Sequence, residues 1–512
     1  MPAQPQALPT KQGIQETPGG IAGAASGTVT KAHPNDVVKS PFRFLPFIFG
    51  ALLLIGGLWF VLTKLLGIGL PGSSNTSTDS TTQTGGTSST APASKQVTLT
   101  WWGLWENSPA LQSILTDFQT ANPGVTVNYV QQSPTEYRER LADALSKGTG
   151  PDLFRFHNSW TPMLKAQMST LPSTIMTQAD YSATFYPVAS KDLITTDGIV
   201  GIPLMYDSIA LYYNKTIFTT AGKEPPKTWN DLDTLVDPKA GLTVRDAGGK
   251  IQRAGIALGT TGNVDHWPEI MTLLLLQNGA DPSDLSSPLA AQAFKYYTDF
   301  SSVKHVWDDT LPASTYAFAT EKTAMMIAPS WRAFDIKSIN PNLDFGIAPI
   351  PQLPGTNVSV ATYWAEGVSK TSKQQQLAWK LLQYMSKKEV LQKFYSDAAS
   401  KTPRLFGEIY PRQDMASLLA TDPYAGAFIS DAPKATSWFM NARTFDNGIN
   451  DKIIKYVGDA INVMNTANGA NSDAALGTAN LGVRQVLQQY GIPVSQTSAA
   501  ATAPTSGIGS TP

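Results

Sequence analysis

From Val97 to Phe156 the chain reads, in turn, VTLTWW, SPALQSILTDFQTAN, VTVNYV, PTEYRERLADALSKG and PDLFRF. Runs that alternate apolar and polar residues give way to runs whose apolar residues recur at helical spacing, such as Leu111, Ile114, Leu115 and Phe118. Strand–helix–strand alternation of this kind predicts an α/β lobe, a parallel sheet covered by helices. In such sheets ligands collect in the crevice beyond the carboxyl ends of the strands. Trp102, Trp105 and the stretch His157-Asn158-Ser159-Trp160 fall just past predicted strand ends, so they are expected to gather at one rim.

At 512 residues the chain is too long for one compact core, and two or more domains are expected. Its formal net charge of -1 gives no basic surface of the sort that binds nucleic acid. There is no cysteine, which removes disulfides, thiolate metal sites, cysteine nucleophiles and lipid-modified cysteine anchors. The four histidines, His33, His157, His266 and His305, lack the close spacing of a metal site on one helix. Neither a metal nor a cofactor is expected.

Residues 1–42 are rich in Pro, Gly, Ala, Gln and Thr, and read as a disordered cytoplasmic segment. Residues 43–70 hold FLPFIFGALLLIGGLWFVLT, Phe44–Thr63, an uncharged run between Arg43 and Lys64. About 20 such residues cross the hydrocarbon core, so this is expected to be a transmembrane signal anchor. Lys31, Lys39 and Arg43 on its amino-terminal side put the rest of the chain outside the cell membrane. Residues 71–95 form a Ser/Thr/Gly-rich linker, with a span of roughly 25–30 Å if flexible. The folded body follows over residues 96–495, and 496–512 read as a disordered tail.

Within the body, several aromatic residues stand beside polar ones. A pyranose presents apolar C–H faces and an equator of hydroxyls, so a site for it needs flat aromatic plates and side chains with directional hydrogen bonds. Trp105, next to Glu106 and Asn107, fits that requirement, as does Trp102. Loop packing would account for the same indoles. Trp101 alternates with Val97 and Leu99 and reads as core. Tyr206-Asp207 follows a predicted strand, Trp331 follows an apolar strand and a turn, and Tyr363, Trp364 and Glu366 share a small-residue context. Trp438, Phe439 and Arg443 lie near a predicted helix start. Trp379 belongs to a helix stripe with Leu377, Leu381 and Leu382, and Trp229 reads as a staple at a helix start.

The ordered series TLTWWG, NPGVTV, GTGPDLF, GIPLMYDSIALYYNK, PPKTWNDL, EKTAMMIAPSW, FGIAPIP and EGVSKTSKQQQLAWKLLQYM resembles the extracellular solute-binding proteins of ABC transporters. The likeness is strongest to their carbohydrate-binding branch, which includes maltose-binding protein, and runs from about Val97 to Pro493. It implies a periplasmic-binding-protein-like fold of two hinged α/β lobes. Lobe 1 is expected over about 96–206 and 350–400, and lobe 2 over about 207–349 and 401–495. Chain crossings are expected near Leu204–Ser208, Phe345–Pro351 and residue 400. The resemblance also implies ligand contacts at Trp102, Trp105, Glu106, Asn158, Trp160, Tyr206, Asp207, Trp331, Tyr363, Trp364, Trp438, Phe439 and Arg443. Many relatives have glycine before the motif tryptophan, where this chain has Ser330.

The expected function is a membrane-anchored, extracytoplasmic receptor, not an enzyme. Its binding domain would act as a monomer, capture a sugar or oligosaccharide and deliver it to ABC permease subunits. The alternatives are an anchored glycoside hydrolase, with Glu106 and Asp207 as its carboxylate pair, and a carbohydrate-sensing receptor or adhesin without transport.

Overall fold

The computed structural model describes residues 96–402, 404–441, 444, 447–466 and 472–494. The expected cytoplasmic segment, signal anchor, linker and tail, and Arg443, lie outside the described residues. Among the described residues, no helix is long and apolar enough to cross a membrane.

The strands that carry the architecture are β1 (Val97–Gly103), β2 (Val125–Gln131), β3 (Leu153–His157), β4 (Ile202–Pro203), β5 (Ile209–Asn214), β6 (Met325–Pro329), β7 (Phe345–Ala348) and β8 (Trp364–Val368). The helices used below are α1 (Ser108–Ala121), α2 (Pro187–Leu193), α3 (Trp229–Val236), α4 (Arg332–Ile339), α5 (Gln375–Met385) and α6 (Lys388–Ser400).

Two sheets define two lobes. The first has strand order β2-β1-β3-β8-β4, and the second β6-β5-β7. β1 runs parallel to β2 and β3, as the alternating pattern predicts, but β8 is antiparallel to both β3 and β4. The second sheet is antiparallel throughout. The parallel sheet expected of the first lobe is thus mixed. β8 enters from the other lobe, so its direction is set by the chain's crossing and not by a helical crossover.

Local chemistry explains the elements near the cleft. α1 starts where the Asn107 side chain accepts a hydrogen bond from the Ala110 amide at 3.2 Å, and it buries Leu111, Ile114, Leu115 and Phe118. Trp101 is fully buried on β1, and Trp379 is fully buried on α5 with its indole donating to Ser169 Oγ at 2.8 Å. Thr228 and Asp231 form a capping box at the start of α3. Trp229 is the first residue inside that helix and is buried edge-on against Tyr296, so it packs in the core instead of stapling the entrance from outside.

The chain passes from β4 to β5 over Leu204–Ser208 and returns between β7 and β8, over residues 349–363. These crossings lie side by side. Ser208 pairs with Ala361, the Thr362 amide donates to Asp207 O at 3.0 Å, and the Ala361 amide donates to Thr436 O at 2.8 Å. On the other flank, the Tyr206 amide donates to Ile409 O at 2.8 Å. Helix α6 packs on α1, and the segment that follows it bends back along this layer. Gly407 lies so close to α6 that an added Cβ would overlap the Tyr395 backbone.

Gly407→Ala is therefore expected to cost about 1–3 kcal/mol, the usual penalty for forcing atoms into a packed site. A guanidinium unfolding midpoint equal to that of the native chain would show that this segment is not pressed onto α6.

Candidate functional site

β3 carries an arginine in the middle of an apolar strand. Arg155 and both of its partners are buried: its guanidinium is paired with Glu106, and its Nε–H donates to Glu366 Oε1 at 2.6 Å. Glu366 Oε2 accepts the Trp101 indole N–H at 2.9 Å, and the Tyr129 hydroxyl donates to Glu106 O at 2.9 Å. Burying ions is costly unless every one is paired and hydrogen-bonded, and this cluster meets that condition. It contains two carboxylates for one cation. Burial, reinforced by Glu106 and opposed by Arg155, pushes Glu366 up to about 7.

This cluster fixes the loop after β1. Trp105 lies with its ring 5.0 Å from the Arg155 guanidinium carbon and edge-on to Trp364, at 4.9 Å between centroids. Trp364 in turn stands edge-on to Trp160 at 5.2 Å and to His157 at 5.1 Å. Burial holds His157 at about 3, so its imidazole is neutral.

Between the lobes lies a cleft lined by Trp105, Tyr206, Asp207, Ser330, Trp331, Phe334, Tyr363, Trp364, Arg404, Phe406 and Glu408. Its cavity volume is about 40 Å³, room for little more than a water. Contacts between the walls close it. Phe334 of α4 packs on Phe406 at 4.6 Å, and the Arg404 guanidinium carbon lies 5.1 Å from the Phe334 ring. Trp331 is itself held by Arg332 at 4.1 Å and by the edge of His266.

Asp207, in the first crossing, accepts from the Ser208 amide at 2.8 Å, the Ser330 amide at 3.1 Å and the Ser330 hydroxyl at 2.9 Å. Burial outweighs these bonds and pushes its carboxyl up to about 7. The hydroxyl of Ser330 thus grips the hinge carboxylate. Among the described residues, two buried donors of this cleft, Trp105 Nε1 and Arg404 Nε, have no hydrogen-bond partner. Unmet buried donors are rare and need a reason.

A second cavity of about 390 Å³ is lined by Asn158, Lys165, Lys191, Asp192, Ser437, Trp438, Phe439 and Tyr490, among others. Asp192 of α2 accepts from Asn158 Nδ2 at 2.8 Å, from the Tyr363 hydroxyl at 3.0 Å and from the Ser437 hydroxyl. Tyr363, which lines the cleft, reaches this cavity through that bond.

The structure thus brings six sequence-predicted residues together in the cleft: Trp105, Tyr206, Asp207, Trp331, Tyr363 and Trp364. Asn158, Trp438 and Phe439 line the second cavity. Trp102, Glu106 and Trp160 line neither. Trp102 is a strand residue and not part of the exit loop, because β1 continues through Gly103, with Trp102 paired to Val130 and Phe154. Glu106 is committed to Arg155, and Trp160 is 2 % exposed within the aromatic cluster. Arg443 is outside the described residues. Sequence reasoning missed Arg155, Arg404, Phe406 and Glu408. A charge inside PDLFRF was a readable signal for the first; nothing local shows that RLFGE folds back into the cleft.

Arg155→Met should cost about 3–5 kcal/mol in urea unfolding, because it leaves two buried carboxylates facing each other unpaired. Adding Glu106→Gln and Glu366→Gln should recover much of that loss; no recovery would mean that charge is not the cause. A second expectation concerns pH. Asp207 and Glu366 have ordinary values of 3.8 and 4.5 and folded values of about 7. Between these limits the folded state holds protons that the unfolded state has lost, so their contribution to stability falls as pH rises. Asp207→Asn should flatten the change in unfolding free energy between pH 4 and pH 8; an unchanged slope would remove Asp207 as a source.

A family model described as bacterial extracellular solute-binding protein matches residues 113–405. A putative binding protein of Brucella abortus is 26% identical over 301 residues, covering 56% of this chain and 71% of the relative. Maltodextrin-binding protein MdxE of Bacillus subtilis is 28% identical over 313 residues, covering 56% of this chain and 68% of MdxE. Among solved structures, a cyclo/maltodextrin-binding protein complexed with maltotetraose superposes with a TM-score of 0.62 at 18% identity, covering 78% of this chain and 99% of that one. That last likeness is one of fold.

Proposed function

The chain belongs to the bacterial extracellular solute-binding protein family, and on that premise we propose that it captures a sugar or short oligosaccharide between its lobes and delivers it to an ABC permease. The observation that carries this reading is the pairing of aromatic plates with unmet donors in one cleft. Trp105, Trp331 and Trp364 supply the plates, and Trp105 Nε1 and Arg404 Nε supply N–H groups without partners among the described residues. Hydroxyl oxygens of a sugar would accept from those donors while its C–H faces met the rings. The names of maltodextrin-binding MdxE and of the maltotetraose complex point the same way.

The cleft as it stands holds too little space for a hexose, so the lobes must part before a ligand enters. The ligand then favours closure because it touches both walls only in the closed form. Asp207 is half-protonated near neutral pH and can both donate and accept, which suits a hydroxyl. The Phe44–Thr63 span supports tethering at the outer face of the cell membrane. A hydrolase reading is less well supported: Glu106, one of the two carboxylates it would use, is ion-paired with Arg155 and does not line the cleft.

A thermal-shift screen of the full chain against neutral di- to tetrasaccharides tests the proposal. A true ligand at a hundredfold its Kd should add about 2.7 kcal/mol of stability. Trp331→Ala should then weaken binding by about 1–3 kcal/mol, read by calorimetric titration. Stabilisation by no member of the panel would overturn the sugar reading, and unchanged affinity of the variant would remove Trp331 from the site.

A further inference from the structure

Arg404 and Glu408 are an ion pair four residues apart in the segment that bends back into the cleft, and each side chain is only 6% exposed. Arg404 Nη1–H donates to Glu408 Oε1, while the Nε–H of the same guanidinium is buried without a partner among the described residues. Burial opposes charge on both groups, yet each holds the other ionised: Arg404 stays above the usual arginine range and Glu408 below the usual carboxylate range. Phe334 of α4 faces the guanidinium and completes its surroundings.

We infer that Arg404 is a ligand-contacting residue and Glu408 its built-in neutraliser, and that the pair restricts the cleft to uncharged sugars. The inference rests on the sugar reading above and narrows its substrate class. A buried guanidinium on a cleft wall would by itself recruit an anion, since Arg–carboxylate and Arg–phosphate bonds are among the strongest available. Here its charge is already balanced by Glu408. The two residues lie in one short segment, so the pair travels together when the lobes part and never presents a bare cation. Glu408 balances the charge and takes one Nη1–H, and the buried Nε–H, which has no hydrogen-bond partner among the described residues, is a directional donor suited to a neutral hydroxyl oxygen. A carboxylate or phosphate placed there would meet Glu408 and, across the cleft, Asp207; specificity of this kind comes from repulsion of the wrong ligand as much as attraction of the right one.

The test compares the full chain with two variants, using matched probes: malto-oligosaccharides and cellobiose as neutral ligands, cellobiouronate and glucose 6-phosphate as anionic ones. The native chain should bind a neutral probe at least tenfold more tightly than its anionic counterpart. Glu408→Gln bares Arg404 and should cut that preference at least tenfold, by strengthening anion binding. The Arg404→Met/Glu408→Gln double variant buries no charge, so it tests the idea even if the single variant fails to fold. It should bind the neutral probe at least tenfold more weakly, because the Nε–H donor is gone. Neutral affinity unchanged in the double variant, or a preference unchanged in Glu408→Gln, overturns this inference while leaving the sugar reading intact. A native chain that binds none of these probes overturns both.

Discussion

The buried guanidinium of Arg155 is the interaction on which the site depends. It ties the middle of β3 to Glu106 in the loop after β1 and to Glu366 on β8, and the Trp101 indole closes the circuit. Three chain segments far apart in sequence are thereby held in one register. Trp105 and Trp364, at the ends of two of those segments, meet edge to face because of it. An apolar replacement of the cluster could match its stability, since paired buried ions gain little over packed hydrocarbon. What such a replacement would lack is the directional grip on a loop whose tryptophan lines a cleft.

The lobes meet through contacts weak enough to exchange. Phe334 against Phe406 and Arg404 against Phe334 are the contacts that shut the cleft. The crossing segments, by contrast, are joined by backbone hydrogen bonds along residues 206–208, 359–362, 409 and 436. A hydrogen-bonded layer beside a face of exchangeable aromatic contacts favours bending about the layer over separation. A ligand that replaces the aromatic self-contacts with its own ring faces and hydroxyls shifts that balance toward the closed form.

Much of this was legible in local pattern. The helical spacing in α1, the alternation in β1 and the sequence NSPAL at the capped start of α1 each announce their element, because burial has a period of two in strands and near four in helices. Trp101 and Trp379 read as core for the same reason, and both are fully buried. Trp102 was harder. Whether a strand stops at residue 101 or 103 is decided by its neighbours β2 and β3, which supply the pairing at Trp102 and Gly103. Glu106 looked like a polar group awaiting a ligand because its partner, Arg155, lies 49 residues away.

By itself, the amino-acid sequence determined the α/β elements, the ordered motifs that mark the family, and a supply of aromatic residues at strand ends and turns. Those follow from spacing and composition, which act over a few residues. Only the tertiary structure decided that Trp105, Trp331 and Trp364 line one cavity and that Trp438 and Asn158 line another. It also decided that RLFGE turns back to place Arg404 and Glu408 in the cleft wall. These are questions of which distant segments meet, and they are settled by packing and by the pairing of buried charge, neither of which leaves a periodic trace along the chain.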